Sequence, residues 1–168
     1  MLTTYEKSVY LDIFNESMNV RMLGESFPLH GRAERIKKFK WLVFAELEHL
    51  CSRMKFESLQ TSDIRKSIEH VSTAAGVSFG QAQKAINVLL KYHYFLHDAE
   101  SGAGAELDCP LDGLVLRELG VRISLQRLER EEYVDIQEKI AGLVSRRVDF
   151  DRRWDEQRLK DEGLLSPG

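Results

Sequence analysis

Between Ser78 and Asn87 the chain places Ser78, Gln81, Gln83, Lys84 and Asn87 within ten residues. Gln and Asn are the side chains that pair with adenine edges, and Lys meets guanine or phosphate. The small-residue turn Ala74-Ala75-Gly76 leads to Ser78, a good helix N-cap, so the polar set falls on the first half of a helix. Its continuation, Val88, Leu89, Leu90, Tyr92, Phe95 and Leu96, is apolar. That layout suits a helix whose first half faces a ligand while its second half is buried. A second chemistry needs an amine and a carboxylate, Lys84 and Asp112. A nucleophilic lysine must be neutral, and therefore desolvated or set beside other cations. A third involves His93 and His97, four apart on a helix, a spacing that can hold one metal ion with Asp98, Asp108 or Cys109 as a further ligand. No Glu or further His completes a known ligand pattern in the sequence, so no metal and no cofactor is expected, and the two histidines stand as candidates. Cys51 falls on an apolar helical face and reads as core. Cys109, in a polar loop before Pro110, is open to reaction, but no nucleophile elbow is present. Finally, Arg32, Arg35, Lys37, Lys38 and Lys40 put five cations in nine residues at a helix start. They oppose the helix dipole, which suits them to an anionic surface, either phosphate on which Arg32, Arg35, Lys37 and Lys38 would sit or an acidic protein partner.

Two local resemblances sharpen these readings. Residues 71–87, with Ala75-Gly76-Val77-Ser78 before a polar helix, resemble the helix-turn-helix segment of lactose-repressor-type transcription factors. That resemblance implies that the second helix enters the major groove, exposing Phe79, Gln81, Gln83, Lys84 and Asn87. Residues 74–119 resemble the helix-hairpin-helix DNA glycosylases, through Gly76-Val77, Lys84 to Leu90 and Cys109-Pro110-Leu111-Asp112. This second resemblance implies a lysine that attacks the sugar, Lys84, and a supporting aspartate, Asp112. The sequence departs from that pattern at the hairpin, where Ser78 and Phe79 stand in place of a glycine and Gly80 is displaced.

The elements that must position these groups are helices. Tyr5 to about Met22 carries Val9, Tyr10, Ile13, Phe14 and Met18 near one stripe. Gly24 to Gly31, with Pro28, is a break. Arg32 to Met54 repeats Ile36, Phe39, Val43, Leu47, Leu50, Cys51 and Met54 at three-and-four spacing, while Trp41, Leu42 and Phe44 widen the face enough to meet neighbours on two sides. A third helix starts at a Thr61 or Ser62 cap and buries Ile64, Ile68 and Val71. The helix from Ser78 follows. Residues 98–106 form a polar loop, and 94–109 allow a small β-hairpin. Pro110 fits the first position of a short helix behind Asp108 or Cys109, closed by Gly120. The last two helices run from about Glu129 to Val144 and from near Asp149; Arg146, Arg147, Arg152, Arg153 and Arg158 there, among Asp149, Asp151, Asp155 and Glu156, suggest i, i+4 pairs on a solvent face.

With 168 residues, 43% apolar and 30% charged, the chain can bury a core without staples. Three prolines and eleven glycines favour long helices. Two distant cysteines exclude a Cys-x-x-Cys zinc site and a disulfide scaffold. No apolar run spans a membrane, the N-terminus does not read as a signal peptide, and a cytoplasmic location is expected. Net charge is -3, but residues 30–96 hold eleven Lys/Arg against six Asp/Glu, and residues 97–121 hold one against six. A local basic face can bind an anionic partner in an acidic chain. The expectation is an all-α, single-domain bundle of about seven helices over residues 1–161 with a frayed tail at 162–168. Its expected function is non-catalytic DNA association through residues 78–91. The alternatives are a helical protein–protein interaction or accessory module and a glycosylase/lyase-like enzyme using Lys84 and Asp112. Oligomeric state is not readable from the sequence.

Overall fold

The structure, a computed structural model, describes residues 1–18, 27 and 30–164. The expected extension of the first helix to Met22, most of the Pro28-containing break and the last four residues of the tail lie outside that set. The described residues form seven α-helices: α1 (Thr4–Ser17), α2 (Arg32–Lys55), α3 (Thr61–Ala75), α4 (Phe79–His93), α5 (Gly113–Glu118), α6 (Arg130–Ala141) and α7 (Arg152–Asp161). A single π turn, Tyr94–Asp98, continues α4, and short 3-10 turns occupy Gly102–Ala105 and Arg147–Asp149. The all-α expectation holds. The β-hairpin allowed at 94–109 does not form, because Tyr94 to Asp98 continue helically and the Tyr94 ring is fully buried.

Local chemistry sets the boundaries. Thr3 and Glu6 close a capping box at the start of α1, satisfying backbone donors that a helix start leaves open. Ser78 and Gln81 do the same for α4. The α3 box is made by Gln60 and Asp63 and not by the expected Thr61 or Ser62, because the Thr61 hydroxyl is turned away to donate to Glu106. Gly76, at φ 67°, ends α3 in the left-handed region, which glycine enters without a Cβ penalty. Pro110 is not a first helical residue. Asp112 is the cap of α5, its Oδ1 accepting from the amides of Leu114 and Val115 at 2.8 and 3.0 Å.

The core is one contiguous cluster. Helix α4 is its axis, packed against α1, α2, α3 and α6. From α2, Phe39, Leu42, Val43, Leu47, Leu50, Cys51 and Met54 are buried, so the expected stripe is the inner face. Burying such side chains stabilises by roughly 1.5–3 kcal/mol each.

Candidate functional sites

Helix α4, at the axis of the bundle, leaves only the Lys84, Val88 and Tyr92 side partly open, and this decides the fate of its polar set. Gln81, Gln83 and Asn87 are buried, which overturns the expectation that they are exposed. Gln83 is wholly enclosed. Its Oε1 accepts from the Leu111 amide at 3.1 Å, and its Nε2 donates to the Leu111 carbonyl at 2.7 Å. Gln137 on α6 does the same for Cys109, accepting at 3.0 Å and donating at 2.8 Å. The irregular segment 107–111 is therefore bonded as a strand edge would be, by two side-chain amides. Gln81 is the return arm of the Ser78 capping box, and Ser78 Oγ also donates to the Leu125 carbonyl at 2.9 Å. The chain before α6 crosses the start of α4 so closely that a Cβ on Gly80 would stand 2.1 Å from the Leu125 oxygen. That contact explains the glycine displaced from the glycosylase-like pattern.

Asn87 belongs to a buried polar network. Its Nδ2 donates to the Tyr133 hydroxyl at 2.8 Å, and Tyr133 donates to Asp108 at 2.9 Å. The Asp108 side chain has no exposed surface and meets Arg65 Nε at 2.9 Å and Arg147 Nε at 2.7 Å. A buried carboxylate requires such compensation. Arg147 is thus spent inside the fold, not on the solvent face expected for the arginine-rich last segment, although Arg152 and Glu156 do form the expected i, i+4 pair at 3.3 Å. Cys109 is buried as well. Burial pushes its thiol well above the ordinary 9.0, so the cysteine that the sequence left open to reaction is an interior one.

Lys84 and Asp112 do line one groove, of about 700 Å³, with Lys91, Arg158, Glu16, Asp151, Asp155, Asp161 and Glu162. Six carboxylates face three cations there, and Lys91 is held between Asp151 and Asp155 at 2.8 and 2.9 Å. Burial opposes the Lys91 ammonium, but the two aspartates more than offset it and raise its pKa. The lining therefore holds more acids than bases, and Asp112 stands at the N-terminal end of α5 as its cap.

The basic start of α2 divides. Arg32 is half-buried and donates to the Phe27 carbonyl at 3.2 Å; Lys40 donates to Asn15 Oδ1 at 2.6 Å. Arg35, Lys37 and Lys38 are exposed. Next to them the outer face of α2 carries Trp41, 68% exposed. Trp41, Phe44 and Leu11 line a shallow groove of about 270 Å³ between α2 and α1, flanked by Lys7 and Lys40. Helix α2 packs on α3 and α4, the two sides expected of its wide apolar face, with Leu42 buried and Trp41 left outside.

His93 and His97 share a small cavity with Glu6 and Asp98. Glu6 was not legible as their neighbour, since its only local signal is the Thr-x-x-Glu capping box. Compared with protein families, characterised proteins and solved structures, the chain matches none.

Proposed function

We propose that the protein is a helical interaction module that docks an acidic, amphipathic segment of another protein on the outer face of α1 and α2. The observation that supports this reading is Trp41, a large aromatic left 68% exposed beside Leu11 and Phe44 in a lysine-flanked groove. Exposed aromatic patches of this kind are anchors in protein recognition. Lys37 and Lys38, one helical turn before Trp41, together with Lys7 and Lys40, favour carboxylates on the partner. A two-fold pairing with a second copy is disfavoured, because it sets these lysines against themselves. The burial of Gln81, Gln83 and Asn87 and the acidic lining of the Lys84 groove favour this reading over DNA reading and lyase chemistry.

The test places the photo-reactive benzoylphenylalanine at position 41 in the full chain and irradiates it in extract of the source cells. The expected product is a cross-link to a protein segment with apolar residues at helical spacing and Asp or Glu between them, lost when Lys37→Glu and Lys38→Glu are added. A cross-link to a second copy, to nucleic acid or to nothing overturns the reading.

A further inference from the structure

We infer that Glu6, His93 and His97 form a binding site for a divalent transition-metal ion of the zinc class, tying α1 to the end of α4. One ligand atom from each of the three residues lies within 4.8 Å of the other two. Two contacts in the cluster have the spacing of neighbouring ligands: His97 Nε2 to Glu6 Oε1 at 3.5 Å, and His93 Nε2 to Asp98 Oδ2 at 3.4 Å. Both exceed a good hydrogen bond of about 2.9 Å. Both match the edge of a tetrahedron with metal–ligand bonds of roughly 2.0 Å, which is about 3.3 Å.

The surrounding groups are arranged as support. The Tyr10 hydroxyl is 2.8 Å from His93 Nδ1. That bond fixes the ring and leaves Nε2 directed at the cluster, as outer-shell partners of metal-bound histidines do. Glu6 divides its oxygens: Oε2 accepts from the amide and hydroxyl of Thr3, both at 2.7 Å, while Oε1 faces His97. Glu6 and the two imidazoles supply three ligands, and the Asp98 carboxylate lies beside His93 at 3.4 Å. The ligand types, nitrogen and oxygen without thiolate, suit zinc, cobalt, nickel or copper over calcium or magnesium. Cys51 borders the cavity, but it is buried and its sulfur is not among the clustered ligand atoms. His93 precedes the π turn Tyr94–Asp98 and His97 lies within it, a helical irregularity frequent at functional sites. The cavity beside them leaves a fourth position for water.

The test uses the full chain without an affinity tag, stripped with chelator and titrated with Co²⁺. The expected result is one equivalent per chain with the visible absorption of a four-coordinate ion, displaced by Zn²⁺. Glu6→Gln preserves the capping box and, like His97→Ala, is expected to weaken zinc binding at least tenfold. Tyr10→Phe weakens it about 10–100-fold through the lost outer-shell bond. Since the His97 ring is 43% exposed, its removal leaves the core intact, so this variant decides the matter even if Tyr10→Phe unfolds. Absence of stoichiometric binding overturns the site. Binding unchanged in His97→Ala also overturns it, by moving the ion to exposed His30, His49 or His70.

Discussion

Gln83 carries a general lesson about single residues. A glutamine in a polar helical turn reads as a base-reading side chain, and the same amide serves equally to complete an interior backbone. The two uses differ in what surrounds the residue, which lies 28 positions away at Leu111 and leaves no mark near Gln83. The distinction is measurable. In Gln83→Leu the Leu111 N–H and C=O stay buried without partners, each at a cost of roughly 1–3 kcal/mol. We expect a loss of about 2–4 kcal/mol of stability in urea unfolding. Gln83→Glu, which keeps the acceptor but buries a charge, is expected to fare no better. Wild-type stability in Gln83→Leu would sink this account.

Helices were legible because their signals are local. The α2 stripe from Phe39 to Met54, the Ser78 cap and the Gly76 stop all depend on residues within one or two turns. Contacts between elements were not legible. Asp112 capping in place of Asp108 follows from the burial of Asp108 between Arg65 and Arg147, and the absence of a hairpin at 94–109 follows from the burial of Tyr94. Of the candidate sites, the His93/His97 pair was visible, whereas Glu6, brought from the first helix, was not, and Trp41 read as packed against a neighbour. Gly80 shows the same dependence. In sequence it is a weak point inside a helix; in the fold it is where the Val121–Leu128 chain rests on α4. Gly80→Ala, normally favourable in a helix, is therefore expected to destabilise by about 1–3 kcal/mol through forced displacement of Leu125, read as a lowered urea midpoint. An unchanged or raised midpoint would show that the loop yields freely.

The molecule as a whole hides several groups that water would ionise. Burial raises Cys109 and Tyr133 well above their ordinary 9.0 and 10.0, and pushes Cys51 up to about 12. Each holds its proton longer in the folded chain than in the unfolded one. Stability is therefore full below the unfolded values and falls as pH rises past them towards the folded ones. The urea midpoint should hold at pH 8 and decline from about pH 9. Cys51→Ala combined with Cys109→Ala should delay that onset towards about pH 10, where tyrosine takes over. A midpoint flat to pH 11 would contradict the burial of these groups.

The amide clamp on residues 107–111 has a consequence beyond stability. An apolar stretch with an open backbone edge is a template on which other chains can add and grow into fibrils. Here Gln83 and Gln137 occupy that edge at Cys109 and Leu111, and Pro110 between them has no N–H to offer. Residues 107–111 are thus closed to strand addition by two side chains, for as long as α4 and α6 stay in place.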